Sequence, residues 1–266
     1  MKPKSKELRR AGLDALRGNW KTAILTYFVA SLFGATVTSG AGFSANFNVE
    51  TSLEEFIGTI PPNMATVFAV VTTVFSILSI VSLIIGGAMR MGYAKYNLNL
   101  VDRKEAKFNN LFSMMNYKWK GFCMNFFMGL YTFLWSLLFA IPGLIKSYAY
   151  SMTPYIKAEN PEMTANQAIG ESISLMMGNK WRLFKLHLSF IGWGILAALP
   201  PTIVGMTALL SEAPPEKLFT AVLVMIPLCA GYLFLTPYIE AANAAFYRTI
   251  VPAKEEEPEN EWYLSE

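Results

Sequence analysis

Histidine occurs once in this chain, at His187, aspartate only at Asp14 and Asp102, and cysteine only at Cys123 and Cys229. Each scarcity closes a class of chemistry. Two aspartates, both in charge-bearing segments outside the apolar runs, cannot supply a membrane-embedded catalytic pair. One histidine and no HExxH run rule out the His-pair zinc site of a metalloprotease. A serine could share a dyad with His187, but no GxSxG sequence is present, and His187 stands within two turns of Trp181, where a histidine at an interface is the simpler reading. No GxxxxGK[ST] loop offers a phosphate cradle. Cys123 and Cys229 lie in apolar runs and read as small packing residues rather than as a disulfide or metal pair. Met114, Met115, Met124, Met128, Met176 and Met177 could hold Cu(I) through thioethers. With no Cys or His ligands beside them, they read as lipid-facing or core residues. The expectation is a non-enzyme with no cofactor and no metal.

Charge is scarce too. Only 15% of the 266 residues are charged and 53% are apolar, against roughly 25% charged in a soluble domain. Five stretches free of charge, 22–49, 64–89, 121–145, 187–210 and 218–239, reach the roughly 20 residues needed to cross a bilayer. A sixth, 147–156, becomes a crossing if its helix starts near Leu144 and Lys157 reaches the inner surface. The first run also follows a basic N-terminus, as in a signal peptide, but it exceeds an h-region of about 7 to 15 residues. Basic residues decide between five and six spans. With six and a cytoplasmic N-terminus, only Lys146 and Lys217 lie outside, which leaves 20 of the 22 basic residues within. With five, 15 lie within. The sequence therefore predicts six spans with both termini cytoplasmic in the cell membrane. The net charge of +3, spread along the inner face, sets topology and does not suggest nucleic-acid binding.

The chain repeats itself. TPYIKAEN (153–160) returns as TPYIEAAN (236–243), each preceded by an Ile-Pro pair, at Ile141–Pro142 and Ile226–Pro227. SMMNYKWKGF (113–122) parallels SLMMGNKWRLF (174–184), and RGNWKTAIL (17–25) is a weaker third copy. Trp20, Trp119 and Trp181, flanked by Lys or Arg, read as anchors at headgroup depth. Amphipathic segments precede them. In residues 5–18, Leu8, Ala11, Gly12, Ala15 and Leu16 line one face opposite Lys6, Arg10 and Arg17, the pattern of a helix lying in the interface. In residues 164–177, Thr164 can cap a second such helix. The predicted fold is an all-α membrane bundle, residues 1–254, of three parallel helix-hairpin units (1–104, 105–162, 163–254) with interfacial helices on the cytoplasmic side. Residues 255–266 form an acidic tail expected to be disordered.

The run IPGLIKSYAYSMTPYIKAENPEMTANQAIGESISLMMGNKWRLFKLHLSFIGW (141–193), with LRRAGLDALRGNWKTAI near the start and TPYIEAANAAFYR near the end, resembles the bacterial membrane family catalogued as domain of unknown function 975. The resemblance covers nearly the whole chain apart from the tail and residues 41–63. It implies a helical integral membrane protein and brings no activity with it.

Proline gives the octets common chemistry. Inside a helix, Pro154 would free the carbonyl of Tyr150 and Pro237 that of Leu233, and in lipid a freed carbonyl must face protein or water. A polar cavity is thus expected among Thr153, Pro154, Tyr155, Lys157, Asn160, Thr236, Pro237, Tyr238, Glu240 and Asn243. Lys157 and Glu240 hold the same slot of the two octets. They either pair across a pseudo-symmetry axis or each reach the headgroups. Two functions remain open: ligand binding or transport of a small molecule at that cavity, or a non-catalytic scaffold whose surface helices and acidic tail dock a protein partner, a second copy or anionic lipid. The lipid bilayer is a partner in both. Gly86, Gly87 and Ala88, and Ala241, Ala242, Ala244 and Ala245, mark places where helices can approach closely.

Overall fold

The computed structural model describes residues 3–34, 62–210, 224 and 230–251. These form ten α-helices, α1 (Ser5–Leu16), α2 (Trp20–Leu32), α3 (Pro62–Val101), α4 (Lys118–Leu138), α5 (Ala140–Tyr150), α6 (Thr153–Glu159), α7 (Ala165–Leu175), α8 (Lys180–Leu188), α9 (Ile191–Leu210) and α10 (Ala230–Ile250). Two 3₁₀ turns, Phe108–Phe112 and Met115–Tyr117, precede α4. Readings placed on Ile226–Pro227, Cys229 and the acidic tail fall outside the described residues.

The Gly-Asn-(Lys)-Trp repeat has a local cause. Gly18 and Gly178 follow α1 and α7 with φ of 84° and 73°, a left-handed conformation that glycine adopts without steric cost and that ends a helix. The next residue, Asn19 or Asn179, precedes a new helix, α2 or α8. Asn179 also ties the two helices together, donating from Nδ2 to the Leu175 carbonyl at 2.9 Å and accepting from Arg182 at 2.9 Å. The middle copy, MMNYKW, lacks the glycine, and there the expected surface helix is replaced by the 3₁₀ turns. All three Trp anchors stand in the first two residues of a helix. Thr164 caps α7 as expected: its hydroxyl accepts from Gln167 N at 3.3 Å, and Gln167 Oε1 accepts from Thr164 N at 3.0 Å, a reciprocal capping box.

Small residues set the crossings. A Cβ on Gly12 would sit 2.8 Å from Ala242 N, so α1 lies directly on the backbone of α10. The helix expected to lie on the interface instead buries Leu8, Gly12 and Leu16 against protein. At Gly87 and Gly121, α3 and α4 touch backbone to backbone.

The chain reverses at Phe139, between α4 and α5, rather than after Ile145 as the length of the apolar run suggested. Pro142 falls in the first turn of α5, where its missing N–H is no loss. Gly143 makes room for Ser136 across the hairpin, and Lys146 sits 4.4 Å from the Trp135 ring.

Apolar exposure divides the molecule. Leu137, Phe139 and Ile141 at the hairpin tip are more than 70% exposed, and Leu25, Phe28, Ile77, Phe133, Leu196 and Phe234 are exposed with them. In contrast, the end of α3 from Gly86, α6 and the end of α10 are buried in protein. Tyr148, Tyr150 and Tyr155, read as part of a crossing, belong to this packed half. Met91, Met114, Met124 and Met128 pack together in it against Ala149, Tyr150, Ala165 and Ile169. One stretch among the described residues, Phe108–Leu138, is long and apolar enough to cross a membrane, and α8 with α9, bent by 44°, would make a second.

Candidate functional site

The site forms in the packed half, where the ends of α3, α6 and α10 meet. Arg90, Tyr93 and Asn97 stand at i, i+3 and i+7 on α3, and Glu240, Asn243 and Tyr247 repeat that spacing on α10, so each set shares one helical face. From α6, Tyr155 enters between them, its ring stacked on Tyr247 at 5.2 Å; Thr153, two residues earlier, is buried on the same helix. Tyr93, Thr153, Tyr155, Glu240 and Asn243 are at most 1% exposed.

Arg90 and Glu240 interact electrostatically within this core. Burial lowers the Arg90 pKa by disfavouring its charge, and the Glu240 carboxylate opposes that effect. Arg90 Nη1 donates to Asn125 Oδ1 on α4 at 3.3 Å. The Tyr155 hydroxyl faces Glu240. Among the buried polar atoms without a hydrogen bond of ordinary geometry within the described residues are Arg90 Nε, Tyr93 Oη, Thr153 Oγ1, Tyr155 Oη and Asn243 Nδ2, although the Tyr93 hydroxyl interacts with Asn97 and that of Tyr155 with Glu240.

A second polar chain enters through Asn243. Its Oδ1 lies 2.9 Å from His187 Nε2, and His187 Nδ1 lies 3.2 Å from the Tyr148 hydroxyl. A neutral imidazole protonated on Nε2 satisfies both contacts, donating to Asn243 and accepting from Tyr148. The lone histidine is therefore an internal bridge from α8 to α10, not an interfacial residue.

The expected cavity residues separate into groups. Tyr155 meets Glu240, with Asn243 less than a turn along α10, and Thr153 is buried at the start of α6. Pro154 stands in the first turn of α6 and Pro237 within α10, so one octet starts a helix and the other kinks one. Thr236 is half-buried, and Tyr238 turns away, edge-on to Phe190 at 4.9 Å. Asn160 caps the end of α6. Lys157 neither pairs with Glu240 nor reaches a surface: it is buried, and its Nζ donates to the carbonyls of Pro161 at 2.9 Å and Met163 at 2.5 Å, closing the turn into α7. Burial, with the nearby Lys120 charge, draws its pKa down to about 8. Glu240 is fully buried as well. The charge swap Lys157→Glu with Glu240→Lys should accordingly be no more stable than either single change, as thermal unfolding of the three variants would check. Rescue by the double change would restore the pairing.

Below the polar core, Arg248 locks the same three helices. Its Nε and Nη2 donate to Asp102 at 2.8 and 2.7 Å, and its Nη1 donates to Glu159 at 2.6 Å. The Tyr247 hydroxyl donates to the other Glu159 oxygen at 2.7 Å. Burial works against the Arg248 charge, but the bonds to Asp102 and Glu159 outweigh it and hold the pKa above the usual arginine value.

Sequence reasoning missed Arg90, Tyr93, Asn97, Asp102 and Arg248. Arg90 and Arg248 were counted only as topology determinants, though the i, i+3, i+7 spacing on both helices was readable.

Among the described residues the molecule is all-helical, with exposed apolar side chains at one end and a packed polar core at the other. It belongs to the family described as Protein of unknown function (DUF975), whose model matches residues 1–147 and 137–254. No curated protein and no solved structure matches the chain.

Proposed function

We propose that the chain is a six-span membrane protein with both termini in the cytoplasm. Its packed half, on the cytoplasmic side, binds a small polar ligand where α3, α6 and α10 converge, without catalysing a reaction on it. Three kinds of observation support the membrane part. Exposed large apolar side chains crowd the α4–α5 hairpin, α9 and the outer parts of α2, α3 and α10, more than a soluble monomer tolerates. The basic residues favour six crossings, and each Trp opens a helix where an interface is expected. The order surface element, Trp-led outward helix and returning helix recurs in each third of the chain, as the three-unit organisation requires.

The observation that carries the binding part is a set of buried polar atoms poorly satisfied by the protein: Arg90 Nε, Thr153 Oγ1 and Asn243 Nδ2 have no hydrogen bond among the described residues, and the Tyr93 and Tyr155 hydroxyls meet only Asn97 and Glu240 outside ordinary geometry. Nine-tenths or more of buried polar groups are hydrogen-bonded in folded proteins, and leaving one unmet costs about 1–3 kcal/mol. Donors and acceptors so poorly met by the protein would be satisfied by a molecule from outside, whether a transported substrate or a sensed ligand. Thr153→Val removes a hydroxyl with no hydrogen bond among the described residues, and Tyr155→Phe one that meets only Glu240, so ligand-free Thr153→Val should unfold at or slightly above the wild-type temperature and Tyr155→Phe at or slightly below it. Wild-type protein purified from membranes and denatured should release a small polar molecule, seen by mass spectrometry, that both variants release at less than a tenth of the amount. Equal release from wild type and variants would sink the reading.

A further inference from the structure

A groove of about 710 Å³ runs between α1 and the α9–α10 pair, apart from the polar core. Its walls differ in chemistry. From α1 come Lys6, Arg9 and Arg10; from α9 and α10 come Trp193, Leu196 and Phe234, and no carboxylate lines it. The floor is narrow, because α9 and α10 meet at Ala197 and Gly231, where a glycine Cβ would lie 3.1 Å from the alanine methyl.

Arg9 is fixed in this lining. Its Nη1 donates to the Ser189 carbonyl at 3.0 Å, and its guanidinium lies 5.8 Å from the Phe190 ring centre. Its Nε is buried without a hydrogen-bond partner among the described residues. A held cation with a donor to spare therefore stands beside two exposed cations, over an apolar wall.

We propose that this groove holds one anionic phospholipid. Its phosphate sits on Arg9, Lys6 and Arg10, and an acyl chain runs along Trp193, Leu196 and Phe234. Three cations without an acid select an anionic headgroup over a zwitterionic one. The volume lies within the roughly 300–1,000 Å³ of small-molecule sites, and the apolar wall gives an acyl chain a place that a free phosphate would leave unused. The site rests on the membrane reading for access to lipid but is independent of the polar core.

The test uses full-length protein in mild detergent, with phosphatidylglycerol, phosphatidylcholine or inorganic phosphate added, followed by thermal unfolding and native mass spectrometry. Phosphatidylglycerol should be retained and raise the unfolding temperature, and the other two should do neither. Lys6→Gln with Arg10→Gln, both exposed in the fold, should weaken phosphatidylglycerol retention about five-fold per cation removed. Leu196→Glu should abolish it. Equal retention of the two lipids, a shift reproduced by inorganic phosphate alone, unchanged retention in the Lys6/Arg10 variant, or a dimer whose contact fills the groove would each overturn the proposal and leave the membrane reading standing. A protein that stays monomeric without detergent and binds no lipid would overturn both.

Discussion

Arg248→Met is expected to lower the unfolding temperature by about 10 °C, one of the two largest effects of a single substitution in this chain. Arg248 forms a fork onto Asp102, at the end of α3, and a third bond onto Glu159, the last residue of α6. The side chains are only 14%, 11% and 15% exposed. Removing the guanidinium leaves two carboxylates facing each other in a poorly hydrated pocket. Breaking a buried pair from one side costs about 3–5 kcal/mol, and in a domain of 150–250 residues each kcal/mol moves the midpoint by about 2–4 °C. Arg248→Lys should recover little, because an ammonium cannot span both acids as the planar fork does. Adding Asp102→Asn and Glu159→Gln to Arg248→Met should recover a large share, since most of the cost is the stranded negative charge. The exposed pair Arg17–Asp14, 75% and 50% exposed, is the control: Arg17→Met should cost under about 1 kcal/mol. Equal shifts for Arg17→Met and Arg248→Met would mean that the clamp does not hold the helix ends together.

The clamp also shows what the letters could and could not reveal. Repeats, helix starts and caps were legible, because each depends on residues close in sequence: glycine in a left-handed turn, Asn before Trp, Thr164 three residues before Gln167. The reversal at Phe139 was not legible. It lies inside an uninterrupted apolar run, and hydropathy carries no mark where a helix turns within one solvent. Pro154 was a signal read the wrong way: it stands in the first turn of a helix, and a helix start and a mid-span kink look alike in sequence until the break is located. Of the ten expected cavity residues, Tyr155 meets Glu240, and Asn243 lies beside Glu240 on α10. Their partners Arg90 and Tyr93 come from a helix whose contact with α10 no local pattern encodes. Lys157 was expected to oppose Glu240 because their octets match, yet α6 ends after seven residues, and the carbonyls of the turn it enters are closer to the lysine than any carboxylate.

Gly87→Ala tests the other contact on which the polar core depends, and its effect should match or exceed that of losing the clamp. A Cβ at Gly87 would lie 2.1 Å from the carbonyl carbon and oxygen of Gly121 and 2.7 Å from Phe122 N. Seen from the other side, a Cβ on Gly121 would lie 2.5 Å from Ala88 N. These are backbone atoms, so no rotamer change relieves the clash and α3 and α4 must move apart. Overpacking in a core costs typically about 1–3 kcal/mol, and a contact between two helix backbones belongs at or above the top of that range. The separation propagates: Arg90 and Asn125, each about one turn farther along its helix, are already 3.3 Å apart, and a shift of an ångström breaks their bond and frees Arg90 from the position in which it faces Glu240. Gly87→Ala should therefore lower the unfolding temperature and also reduce the small molecule retained by the purified protein, although Gly87 touches no polar group of the site. Gly129→Ala is the matched control on α4. Nothing lies within 4 Å of its added methyl, so the better helix propensity of alanine should leave stability unchanged or raise it by up to about 1 kcal/mol. Opposite signs for the two glycine replacements, read from thermal unfolding in one detergent, would locate the constraint at the crossing rather than in the flexibility of the helices. Equal shifts would remove close backbone contact as the reason these helices place Arg90 where they do.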